Sequence, residues 1–108
     1  MAHQQHQSCI QACNACAAAC DHCSTACLSE SDVAKMAECI RLDIDCADIL
    51  RLASALMARG SRHAKDICPL CASICAACAA ECEKHRHDHC KQCAQNCREC
   101  AKECQAMA

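Results

Sequence analysis

Eighteen of the 108 residues are cysteine, and their spacing says as much as their number. Cys9, Cys13, Cys16, Cys20, Cys23 and Cys27 follow one another in alternating steps of four and three. Cys68, Cys71, Cys75, Cys78 and Cys82 form a second such ladder, and Cys90, Cys93, Cys97, Cys100 and Cys104 a third. Cys39 and Cys46 stand seven apart. On a helix, alternating steps of three and four keep every side chain on one face. A buried free thiol can act as a small hydrophobe. Eighteen of them without large neighbours would leave a loosely filled interior. Disulfides fit poorly, because cysteines four apart on a helix have nearly parallel Cα–Cβ bonds. A thiol redox enzyme would need one or two unusually reactive cysteines, and no CxxC stands in an enzyme-like loop.

Metal binding accounts for the pattern better. Seven CxxxC pairs can be drawn: Cys9/Cys13, Cys16/Cys20, Cys23/Cys27, Cys71/Cys75, Cys78/Cys82, Cys93/Cys97 and Cys100/Cys104. Residues four apart on a helix have Cβ atoms about 6 Å apart, so two sulfurs can converge on one ion. Two thiolates suit a soft monovalent ion of low coordination number, Cu(I). Zinc prefers four ligands, usually gathered from CxxC knuckles in loops, and iron–sulfur clusters use loop cysteines at other spacings. Charge points the same way. One Cu(I) per thiolate leaves the interior neutral, which sets the expected load at about 18 ions. A zinc or general soft-metal buffer, resembling a metallothionein, is the alternative.

Helices must carry these ladders. The chain has one Gly, one Pro, no aromatic residue and twenty-three Ala. Four segments are predicted. The first runs from about Gln5 to Cys27. The second is capped by Ser29 or Ser31 and runs to Arg59, with Gly60 as its stop. The third begins at Ser61 and reaches about Lys84, with Pro69 marking a kink or a true start near Cys68. The segment from His85 to His89 is the last connection, and the fourth helix continues to about Gln105. Short connections predict an all-α fold, an antiparallel up-down-up-down four-helix bundle, in one domain spanning 1–108.

Composition narrows the possible partners. The net charge is −2, with no basic tract to suggest nucleic acid or an anionic membrane. No stretch approaches the roughly 20 apolar residues of a membrane span. The opening MAHQQHQS lacks the roughly 7–15-residue apolar run of a secretory signal, so a cytoplasmic location is expected. In that reducing setting the cysteines read as thiols and metal ligands.

The predicted topology gathers Cys23, Cys27, Met36, Cys39, Cys82, His85, His87, His89 and Cys90 at one end. The other end receives Ile49, Leu50, Ala53, Leu56 and Met57. Copper is therefore expected to enter and leave at the His/Met end. His85, His87 and His89 are candidate ligands there, and Met36 is either ligand or core filler. Asp43 could face inward, although Leu42 competes for that place and a carboxylate is a hard ligand for Cu(I).

The CxxxC ladder of the first helix, CIRLDIDCAD (Cys39–Asp48), ICPLCASICAACAAEC (Ile67–Cys82) and KHRHDHCKQCAQNCREC (Lys84–Cys100) together resemble the copper storage protein family, in its cytosolic branch. The resemblance spans nearly the whole chain. It implies a four-helix bundle filled with Cu(I) on thiolates, and non-catalytic storage. It also implies accessory ligands among His85, His87 and His89, and assembly into a homotetramer.

Overall fold

The structure, a computed structural model, describes residues 6–107. The expected helix start at Gln5 lies outside them. Four α-helices follow in order: α1 (Gln7–Leu28), α2 (Ala37–Ala58), α3 (Ala64–Cys82) and α4 (Asp88–Met107). Consecutive helices are antiparallel neighbours, and α4 returns to pack on α1, so the four close into a square with α1 diagonal to α3. The rod measures 48 × 18 × 18 Å.

The termini depart from the sequence reading in three places. Neither Ser29 nor Ser31 caps α2, which is preceded by a 3-10 turn over Val33–Met36 and has no side-chain cap. The chain spends those residues swinging across the bundle end. Pro69 does not start α3 but sits inside it, five residues after Ala64. The helix accepts one missing N–H there in order to bury Ala64 and Cys68 on the same face as the later cysteines. His89 belongs to the first turn of α4 rather than to the connection. Gly60 does end α2. At φ 66° it adopts the left-handed conformation, and Ser61 N–H donates to Leu56 C=O at 2.9 Å while Gly60 N–H donates to Met57 C=O at 3.1 Å. This is a Schellman closure, which glycine makes without steric cost.

The interior is sulfur. All eighteen cysteines are buried, seventeen of them completely, together with Met36, Leu50, Met57 and small alanines. Alanine between the ladders lets the helices approach closely enough for thiols to meet across the axis. The outer ion pairs, such as Arg51 with Asp21 and Arg98 with Glu83, are about half exposed and contribute little to stability. Among the described residues no helix is long and apolar enough to cross a membrane.

Candidate metal centre

The three-four ladders of α1 and α4 run in opposite directions in one strict register. Cys9 faces Cys104 at 3.9 Å, Cys13 faces Cys100 at 3.7 Å and Cys16 faces Cys97 at 3.5 Å. Cys20 faces Cys93 at 3.7 Å and Cys23 faces Cys90 at 3.9 Å. On the other side, Cys39 of α2 faces Cys82 of α3 at 3.6 Å, and Cys46 faces Cys75 at 3.7 Å. Continuing this second register sets Leu50 level with Cys71 and Ala53 level with Cys68.

All eighteen thiols are free. Sulfurs also meet along one helix, Cys23 with Cys27 at 3.8 Å and Cys93 with Cys97 at 4.0 Å. The closest approaches are nonetheless across helices. Sulfurs of the CxxxC pairs thus also belong to clusters that span helices. Cys16, Cys20, Cys46 and Cys97 hold their sulfurs within 4.8 Å of one another, and so do Cys23, Cys27, Cys39 and Cys90. Burial, the largest influence, pushes Cys68 at one end of the column up to about 11 and Cys27 at the other up to about 12. Without metal these groups hold their protons, and an arriving cation must displace them.

Asp43 occupies the remaining position of the α2 ladder, four residues after Cys39 and three before Cys46. It is completely buried, while Leu42 lies half-buried beside it. Its Oδ1 accepts from Cys78 at 3.2 Å, Cys93 at 3.3 Å and Cys82 at 3.8 Å, and its Oδ2 accepts from Cys39 at 3.9 Å. Burial first, then the neighbouring Cys78 charge, raises its carboxyl to about 10. It is therefore a neutral acid in the metal-free protein. The sequence reading raised Asp43 and passed over it as too hard a donor. Its place in the three-four spacing was the signal that it points inward.

The residues expected at the His/Met end do meet there. His89 brings Nδ1 to 3.5 Å from Cys23, 3.6 Å from Cys90 and 3.9 Å from Cys27. Its other nitrogen, Nε2, lies 2.8 Å from Glu30 Oε2. Burial alone would lower its basicity, but hydrogen bonds to Cys23 and Glu30 raise it overall. With Nε2–H donated to Glu30, the Nδ1 lone pair is free to face the sulfurs. Glu30, which the sequence reading did not single out, is thus what aims the ring. His85 and His87 face carboxylates instead. His85 Nε2 lies 3.0 Å from Glu81, while His87 lies 3.3 Å from both Glu30 and Asp32. Met36 is fully buried in the 3-10 turn at this end, and His22 is exposed.

A column of free thiols that opens on an imidazole is a container for soft cations, and the comparisons agree. The family model described as copper storage protein matches residues 2–108. The chain belongs to the copper storage protein family. A Cu(I)-bound copper storage protein, BsCsp3, is 52% identical and superposes with a TM-score of 0.91 over 94% of this chain and 96% of its own. A cytosolic copper storage protein from Streptomyces lividans, solved with five coppers, is 39% identical with a TM-score of 0.93, over 98% and 93%. The uncharacterized cysteine-rich protein YhjQ of Bacillus subtilis is 51% identical over 79 residues, 73% of either chain. The all-helical bundle expected from the ladders is the fold of this family.

Proposed function

We propose that this chain stores Cu(I) in the cytoplasm, holding about 18 ions on its core thiolates when full. The observation that carries the reading is the continuous register of buried free thiols between α1 and α4, with further thiols facing it from α2 and α3. Each Cu(I) that binds displaces one thiol proton, so the interior stays neutral as it fills. The proposed ligands are the eighteen cysteines. His89 is the imidazole best placed to join them, with His85, His87 and Met36 as further candidates at the same end. Copper passes in and out there, because the opposite end of α2 presents Leu50, Ala53 and Met57 in place of thiols. The role is storage without catalysis. Relatives support the capacity: the Streptomyces lividans protein has been solved loaded with 10 copper equivalents. We also propose that the protein works as a homotetramer.

The test is an anaerobic titration of the fully reduced protein with Cu(I) against a competing chelator. The expected result is tight uptake continuing to about one ion per cysteine. A plateau after a few equivalents overturns storage. Preferential retention of zinc when both metals are offered would instead favour a general soft-metal buffer.

A further inference from the structure

We propose that the rim of the bundle carries a second metal site, for a divalent cation such as Zn(II), on His87 Nδ1, Glu30 and His89 Nε2. Asp32 holds His87 in position. The donor set is built from two separate connections, the turn after α1 and the segment between α3 and α4. Glu30 Oε2 lies at its centre, 3.3 Å from His87 Nδ1 and 2.8 Å from His89 Nε2. The two imidazole rings stack with centroids 5.3 Å apart and planes 4° apart, and each presents a nitrogen to the same oxygen.

His87 places both nitrogens against carboxylate oxygens, Nδ1 on Glu30 and Nε2 on Asp32, each at 3.3 Å. A cation seated among Nδ1, Oε2 and His89 Nε2 takes all three atoms as ligands, and His87 Nε2–H then donates to Asp32. That outer pairing is the carboxylate–histidine arrangement that orients metal-bound imidazoles. Bonds of about 2.0–2.1 Å in a tetrahedron put ligand atoms about 3.3 Å apart, the separation of His87 Nδ1 from Glu30, while His89 Nε2 at 2.8 Å would move outward by about 0.5 Å. Two nitrogens and a carboxylate with room for water suit Zn(II), whereas Cu(I) prefers the sulfurs deeper in. The side chains are accessible, with His87 and Glu30 each 29% exposed.

The two metals are coupled through one ring. When His89 Nε2 binds the rim ion, its proton moves to Nδ1, which then donates to Cys23 and no longer offers Cu(I) a lone pair. A filled rim therefore slows copper transfer without emptying the thiolates. This consequence rests on the storage reading above, whereas the rim site itself does not.

The experiment uses the fully Cu(I)-loaded protein, whose thiolates are occupied, titrated with Zn(II) against a chromophoric chelator. One Zn(II) per chain is expected to bind with no copper released. Asp32→Asn is expected to weaken it about tenfold, and His87→Ala to abolish it. Co(II) in place of Zn(II) is expected to give weak visible bands without intense sulfur-to-metal absorption. No zinc retained, retention indifferent to both substitutions, or stoichiometric displacement of copper overturns the site. Copper transfer to a chelator, timed with and without Zn(II), then tests the coupling, which His89→Ala must abolish. Failure of copper storage would show in the copper load, and failure of the rim site in the zinc titration alone.

Discussion

Asp43 stands where the α2 ladder would otherwise place a thiol, level with Cys78 and bonded to sulfurs from α2, α3 and α4. Its carboxyl is ordinary in the unfolded chain, near 3.9, and is raised to about 10 when folded. The folded state therefore binds a proton that the unfolded state gives up above about pH 4. The stability this proton confers is complete below that point and declines as pH rises toward 10. Asp43→Asn removes the dependence. In anaerobic denaturant unfolding of reduced, metal-free protein, the variant is expected to gain on the parent by up to about 1.4 kcal/mol per pH unit across that window. A difference that stays flat with pH would mean the carboxyl is ionised inside the bundle. His89 is the other residue with a distinct role. Since its Nδ1 touches three thiols and His85 touches none, His89→Ala is expected to slow Cu(I) uptake about tenfold, measured by stopped flow, with a much smaller effect from His85→Ala.

Pro69 sits in the body of α3, where its ring crowds the carbonyl of Lys65 and donates nothing to it. Pro69→Ala is expected to raise the stability of the metal-free protein by about 1–3 kcal/mol and to leave the copper load unchanged. Chemical denaturation with and without metal measures both. The same helix shows what the sequence made legible. Ladders of five and six cysteines fixed α1, α3 and α4, because only a helix brings that spacing to one face. Which thiols meet across helices was not legible, since ladders of one period can slide by a heptad and still face each other. Boundaries were hard to read as well. Pro69 and the serines carry strong local preferences for starting helices, yet burial of Ala64 and Cys68 and the crossing from α1 to α2 decided the outcome. Asp43 and Glu30 were hidden for a different reason. The usual cost of burying a carboxylate argued against the inward place that the spacing gave one, and the other acts through a ring 59 residues away in sequence.

Taken whole, the molecule has little hydrocarbon and spends part of it on the outside. The sequence has thirteen Val, Ile and Leu residues and no aromatics. Ile44, Leu52 and Leu70 are nonetheless 48, 51 and 55% exposed. Leu52 and Leu70 lie with Ile49, Ile67 and Ile74 along an apolar groove between α2 and α3, edged by Asp45 and Asp48. Ile49, Ile67 and Ile74 also pack on the core, but Leu52 and Leu70 complete a face of five aliphatics, and such patches ordinarily mark association. Charge favours a second copy as occupant. Along α2 the outward stripe runs from Asp45 and Asp48 through Leu52 to Arg59, and these three charges form no ion pair among the described residues. Two copies crossing antiparallel at Leu52 would set Asp45 of each beside Arg59 of the other, as a two-fold interface requires. The homotetramer proposed above is expected to use this face. Leu52→Glu with Leu70→Glu is expected to shift the assembly to smaller species by light scattering, with copper capacity per chain intact. Exchanging the charges, Asp45→Arg with Arg59→Asp, is expected to restore what Arg59→Asp alone weakens. Undiminished tetramers in the double glutamate variant would place the interface on another face, since two buried carboxylates at its centre cost several kcal/mol, more than one such contact can absorb.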